Sequence, residues 1–93
     1  MNTEGALVLV VDDEARMVSM LQLALDAAGH RTLTATSADA AWRALASAPV
    51  DLVLLDVMLP DGSGVDLCRR IRETSDVPVI LLTALGDTVD RVW

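Results

Sequence analysis

The sequence contains no lysine, no phenylalanine and no tyrosine, and its only aromatic residues are two tryptophans. Hydrophobic residues make up 53 % of the chain, and because so few of them are aromatic, the core is predicted to be aliphatic. A single cysteine, Cys68, excludes an internal disulfide and is expected to be a small buried side chain in a helix. The longest apolar run is about six residues, which is too short to span a bilayer.

Basic residues are also scarce. Seven arginines stand against 14 acidic residues, which gives a net charge of −7. Such an acidic surface repels phosphate backbones, so we expect no nucleic-acid binding by this segment alone. The first residues lack a basic leader, and we therefore expect a cytoplasmic location and no membrane contact. The length of 93 residues allows one small domain.

Strand and helix patterns alternate along the chain. Apolar runs predict four strands, at residues 6–11, 31–35, 52–55 and 77–82. Apolar residues at helical spacing predict helices at 14–28, from 38 to the residue before Pro49, and at 65–72, with Ser37 as an N-cap. Asp87 is expected to cap a fourth helix formed by the six residues that follow it.

This alternation predicts an α/β fold with a doubly wound parallel sheet and helices on both faces. One common order of such sheets is 2-1-3-4-5, in which the first and third strands are neighbours. Ligands bind these sheets at the carboxyl ends of the strands, where the strand order reverses. The residues that follow the first and third strands are therefore expected to form a functional site.

Carboxylates occupy those positions. Asp12 and Asp13 follow the first strand, and Asp56 ends the third. Like charges this close resist joint ionisation, and a hard divalent cation such as Mg²⁺ resolves the conflict. One Asp oxygen then remains free to act as a nucleophile toward phosphorus. Thr83 ends the fourth strand at the same edge, where its hydroxyl could donate to a phosphoryl oxygen.

Three segments carry a resemblance to a known family: VVDDE at 10–14, LLDVMLPDGSG at 54–64 and LLTALGD at 81–87. Together they resemble the receiver domain of bacterial two-component response regulators, and the resemblance covers essentially the whole chain. It implies a flavodoxin-like fold and a phosphoryl group received from a sensor histidine kinase. It also implies a phosphoryl acceptor rather than an enzyme, which at most promotes its own phosphorylation and dephosphorylation.

The resemblance also assigns roles to individual residues. Asp56 matches the phosphoacceptor, and Thr83 matches the switch hydroxyl that moves toward the phosphoryl group. Pro60 and Gly64 match residues that shape the loop after the acceptor. Four positions match the ligands of Mg²⁺: Asp12 (through water), Asp13, Asp56 and the backbone carbonyl of Met58.

The family pattern continues beyond this sequence with a fifth strand, a fifth helix and a lysine that pairs with the phosphoryl group. We therefore expect residues 1–93 to form a single receiver domain, incomplete at its carboxyl end. It is either a piece of a longer protein or a natural short form. Because charge stabilisation is the main catalytic contribution in phosphoryl transfer, phosphorylation and switching are expected to be impaired without lysine.

Without a fifth strand, residues 79–82 would form an exposed apolar edge. Such edges pair with other chains, so we expect a homo-oligomer, joined through this strand or through the fourth-helix segment. An alternative function is a dimerisation or interaction module that is never phosphorylated. A phosphatase of the haloacid dehalogenase type also uses an Asp nucleophile, but it requires a second Asp where this sequence has Met58.

Overall fold

The computed structural model describes residues 5–82 and 88–92. Short strands and helices alternate as the apolar pattern predicts, with a small hairpin inserted before the third helix. In chain order the elements are β1 (Leu7–Val11), α1 (Ala15–Ala27), β2 (Arg31–Ala35), α2 (Ala38–Ser47), β3 (Leu52–Asp56), β4 (Met58–Leu59), β5 (Gly62–Ser63), α3 (Gly64–Thr74), β6 (Val79–Leu82) and β7 (Thr88–Val92).

The main sheet has the order β2-β1-β3-β6-β7. Its first four strands are parallel, and they are the four strands predicted from the apolar runs, in the predicted order. Every residue of β1 is buried, as expected for a central strand covered on both faces. The remaining two strands, β4 and β5, pair antiparallel as a separate hairpin.

The segment that follows β6 differs from the prediction. Residues 88–92 form a strand antiparallel to β6 rather than a fourth helix, and Asp87, the expected cap, lies outside the described residues. A helix of six residues has too few hydrogen bonds to be stable alone, whereas the edge of β6 offers unpaired backbone groups. The expectation of an exposed edge at Val79–Leu82 is therefore wrong, because β7 pairs with that edge. The homo-oligomer expected through this strand or through the segment after it stays a prediction.

Helices cover both faces of the sheet. α1 connects β1 to β2, and α2 returns in the opposite direction from β2 to β3; right-handed crossovers therefore place the two helices on opposite faces. α3 shares the face of α2. The aliphatic core lies between these two helices and the sheet, and its fully buried members include Leu9, Leu55, Cys68, Ile71 and Val79.

Two predicted helix boundaries are confirmed by local geometry. Ser37 caps α2, because its hydroxyl accepts a hydrogen bond from the Ala40 N–H at 3.1 Å. Gly29 follows α1 with a φ of +87°, a conformation that favours glycine and ends a helix. Within the described part of the chain, no helix has the length and apolar character needed to cross a membrane.

Candidate functional site

Three carboxylates meet at the carboxyl edge of β1 and β3. Asp56 is the last residue of β3, while Asp12 and Asp13 follow β1 directly. The two strands are neighbours in register, so their ends lie side by side. Each carboxylate offers one oxygen, and these oxygens all lie within 4.8 Å of one another. We call Asp12, Asp13 and Asp56 the acidic cluster.

Burial makes the acidic cluster electrostatically costly. Asp12 and Asp56 are 6 % and 9 % exposed, whereas Asp13 is exposed to solvent. Burial raises the pKa of the Asp56 carboxyl, and the negative charges of Asp12 and Asp13 raise it further, against a lowering by the Met58 N–H. A cation at this position would relieve the repulsion.

Backbone hydrogen bonds orient two of the three carboxylates. One Asp12 oxygen accepts from the Glu14 N–H at 2.8 Å. One Asp56 oxygen accepts from the Met58 N–H at 3.3 Å. Each carboxylate thus bonds the backbone two residues further on, as Asp does in tight turns. The chain that follows each strand therefore fixes the direction of the side chain that ends it.

The donor set determines which ions fit. All three ligand atoms are carboxylate oxygens, which suit hard cations such as Mg²⁺ or Ca²⁺ rather than metals that prefer nitrogen or sulfur. Among the side chains of residues 5–82, the acidic cluster is the group of His, Cys, Asp or Glu close enough to hold a metal ion.

A tight approach between α3 and β3 explains Gly64. A Cβ atom added to Gly64 would lie 2.1 Å from the carbonyl oxygen of Asp56, much closer than any real contact. The Gly64 N–H also donates to the carbonyl of Val57 at 2.7 Å. The first residue of α3 therefore packs directly against the backbone that carries Asp56, and a side chain there would push the two apart.

The β4–β5 hairpin begins two residues after Asp56, and Pro60 lies in its turn together with Asp61. Met58 has an exposed side chain, and its N–H reaches Asp56. The role of the Met58 carbonyl as a ligand of Mg²⁺ stays a prediction. Thr83, the predicted switch hydroxyl, lies outside the described residues.

Sequence reasoning missed one residue beside this site. The Asp61 carboxylate accepts hydrogen bonds from the N–H groups of Ala38 and Asp39, at 2.7 and 3.0 Å. These two donors hold the pKa of the Asp61 carboxyl below its usual range. Asp is a residue type that caps helices, but no local pattern links a turn at 60–61 to a helix that begins more than twenty residues earlier.

The comparison with known proteins decides the family. The family model described as the response regulator receiver domain matches residues 8–92. The chain belongs to this family. The family match covers all three residues of the acidic cluster of this receiver domain.

Curated relatives are similar over nearly the whole receiver chain. The transcriptional regulatory protein AfsQ1 of Streptomyces coelicolor is 45 % identical over 87 residues, which cover 94 % of this chain and 38 % of AfsQ1. The DNA-binding response regulator MtrA of Mycobacterium tuberculosis is 44 % identical over 92 residues, which cover 99 % of this chain and 40 % of MtrA. The receiver chain thus spans less than half the length of these relatives.

Solved structures of receiver domains and response regulators have the same fold. The response regulator TrrA of Thermotoga maritima, in complex with Mg(2+)-BeF, is 36 % identical, with a TM-score of 0.80 over 85 % of this chain and 70 % of that one. The BeF3-activated N-terminal receiver domain of Klebsiella pneumoniae RstA is 31 % identical, with a TM-score of 0.81 over 87 % of this chain and 69 % of that one.

Proposed function

We propose that this receiver domain takes a phosphoryl group from a sensor histidine kinase onto Asp56, with Mg²⁺ held at the acidic cluster. The observation that carries the proposal is the convergence of three carboxylate oxygens within 4.8 Å at the carboxyl edge of the sheet. The family gives this convergence a chemical purpose, because receiver domains are phosphoacceptor modules.

The residues present fit a magnesium ion. Mg²⁺ takes few direct carboxylates and keeps several waters. This is compatible with the roles that the family resemblance implies, in which Asp13 and Asp56 are direct ligands and Asp12 acts through water. The Met58 carbonyl would be the remaining ligand that the protein supplies to the ion. When bound, the ion supplies positive charge that offsets both the acidic cluster and an incoming phosphoryl group.

The transfer itself requires little of the protein beyond position and charge. A carboxylate oxygen of Asp56 attacks phosphorus and forms the new P–O bond, while the P–N bond to the kinase histidine breaks. The imidazole nitrogen keeps the electron pair of that bond and later takes a proton. Asp56 must be ionised to attack, so the positive charge beside it also counteracts the raised pKa of its carboxyl.

Thr83 is proposed as the hydroxyl that contacts the phosphoryl group, since it follows β6, the strand beside β3. The 93-residue chain has no lysine, so we expect its phosphorylation to be slow and its switching to be weak. A cytoplasmic location, where such kinases present their phosphohistidine, stays a prediction.

The relatives favour an output in transcription. AfsQ1 is a transcriptional regulatory protein and MtrA a DNA-binding response regulator, and each is more than twice as long as the region it shares with this chain. We propose that phosphorylation of Asp56 controls such an output. The acidic receiver itself, with a net charge of −7, is not expected to contact DNA.

Intact-mass spectrometry after incubation with a small phosphodonor tests the proposal. The wild-type chain is expected to gain one phosphoryl group, slowly and only with Mg²⁺, and Asp56→Asn to gain none. Asp66→Asn is the matched control, because Asp66 is an exposed carboxylate that contacts Arg69 at the surface. Modification that persists in Asp56→Asn, or that proceeds equally without Mg²⁺, would contradict the proposal. Absence of any modification of the wild-type chain would favour an interaction module that needs no phosphorylation.

A further inference from the structure

The β4–β5 hairpin contacts the amino ends of two helices. At α3, the Ser63 hydroxyl accepts from the Val65 N–H at 3.1 Å. At α2, the Asp61 carboxylate accepts from the Ala38 and Asp39 N–H groups. One contact is local in sequence and the other is not, so Asp61 is what fastens the hairpin to α2.

Asp61 adds a contact from outside α2 to the local cap of that helix. The amino end of a helix leaves several N–H groups without intrahelical partners, and α2 already has a local cap in Ser37. Asp61 satisfies two further donors from outside the helix, and its negative charge is favourable at the positive end of the helix dipole. Asp61 is exposed to solvent. Its two bonds act as a tether between the hairpin and α2.

The tethered hairpin carries a peptide that contacts the acidic cluster. Met58 begins β4, and its N–H donates to the Asp56 carboxylate at 3.3 Å. Leu59 is 9 % exposed and pairs with Gly62 across the hairpin. The hairpin is thus held at its base by Asp56 and Leu59, and at its tip by Asp61. Movement of the tip would shift the Met58 peptide relative to Asp56.

We propose that Asp61 is a positioning residue: by fastening the tip of the β4–β5 hairpin to α2, it sets the Met58 peptide for the ion at the acidic cluster. The proposal rests on the proposed function, because it concerns the same ion. It also makes α2 responsive to the ion, since coupling between two sites is reciprocal. Binding at the acidic cluster then changes the environment of the Ala38 and Asp39 amides.

The test compares Mg²⁺ binding by four proteins, measured by calorimetry and by amide shifts in NMR spectra. Asp61→Ala removes the tether, and its affinity for Mg²⁺ is expected to fall about tenfold, an effect typical of groups that orient metal ligands. Asp61→Asn keeps one acceptor oxygen and should lose less. Asp66→Ala removes the same charge from the first turn of α3 without touching the hairpin, and should bind as the wild type does.

The NMR measurement separates a tether from a general loss of stability. In the wild type, Mg²⁺ is expected to shift the amide signals of Ala38 and Asp39 as well as that of Val65. In Asp61→Ala the shifts at Ala38 and Asp39 should be lost, while the shift at Val65, which Ser63 caps, should remain. If Asp61→Ala does not fold, the same comparison is made with Asp61→Asn.

Several results would overturn the inference. Wild-type affinity in Asp61→Ala would do so while leaving the proposed function intact. An equal loss in Asp66→Ala would show that the effect is one of net charge and not of the tether. Absence of Mg²⁺ binding by the wild-type protein would instead remove the proposed function, and this inference with it.

Discussion

The helices on the two faces of the sheet differ in how they are packed and capped. On one face, α2 and α3 bury side chains against the sheet, and serine hydroxyls cap both helices. On the other face, α1 has no buried residue among its 13, and its N-cap, Glu14, makes no capping hydrogen bond through its side chain. The side chain of Leu23, in the middle of α1, is 71 % exposed.

The difference shows where the site obtains its rigidity. The hairpin that follows Asp56 is fastened to α2 and α3, so the packed face also positions the backbone around the acidic cluster. α1 contributes little to that positioning through packing, although it begins just after Asp12 and Asp13. Substitutions on the two faces should therefore have unequal effects on stability and on the site.

The largest effect is expected for core residues of α3. Ile71 is 1 % exposed, so Ile71→Ala removes buried methyl groups and should lower the free energy of unfolding by about 2–5 kcal/mol. Leu23→Ala on α1 should change it by less than about 0.5 kcal/mol. Urea unfolding followed by circular dichroism measures both. Equal losses would show that the two faces do not differ as described.

A smaller effect is expected at the contact between α3 and β3. Gly64→Ala places a Cβ where the Asp56 carbonyl lies, and the required shift should cost about 1–3 kcal/mol of stability. It should also weaken Mg²⁺ binding, because the displaced backbone carries Asp56. Ser19→Ala, at an exposed position of α1, serves as the control and should be close to neutral. An unperturbed melting temperature in Gly64→Ala would refute the close approach.

The smallest effects are expected from two carboxyls whose pKa values shift in opposite directions. The pKa of Asp56 is raised in the folded protein, so its contribution to stability is fully present at low pH and is lost as pH rises through that pKa. Without Mg²⁺, Asp56→Asn should therefore raise the melting temperature at pH 7 relative to the wild type. At pH 3, where the wild-type carboxyl is protonated, this gain should vanish.

Substitution of Asp61 is expected to change the melting temperature in the opposite direction. Its pKa is lowered by the two N–H donors of α2, so its contribution to stability is present above the ordinary carboxyl pKa and is lost as pH falls through the lowered one. Asp61→Asn should lower the melting temperature at pH 7 and have less effect in acid. Thermal scans at both pH values check the pair, and shifts of the same sign for both variants would be inconsistent with the pKa directions.

The sequence predicts those parts of the fold that depend on local pattern. Continuous apolar runs identify β1 and β3, and the strand order then places Asp12, Asp13 and Asp56 at one edge. The pattern fails after β6, where a short segment pairs with a strand edge instead of forming a helix. Propensity over so few residues is outweighed by an available edge.

Contacts that are distant in sequence could not be predicted in this way. The sequence gives no signal for the contact of Asp61 with α2, because its partners at the start of that helix lie more than twenty residues away. The close approach at Gly64 is a second such contact: as the first residue of α3, Gly64 lies against the Asp56 backbone and leaves no room for a Cβ atom. Both contacts depend on how α2, α3 and the hairpin pack around the site, which periodicity does not describe.

Calorimetric titration of the protein with Mg²⁺ measures directly whether the acidic cluster holds the ion. We expect one ion to bind per wild-type chain, and Asp13→Asn to lose that binding, because the variant lacks a proposed direct ligand while the buried Asp12 and Asp56 stay in place. Failure of the wild-type protein to take up Mg²⁺, or unchanged uptake by an Asp13→Asn, Asp56→Asn double variant, would contradict this expectation.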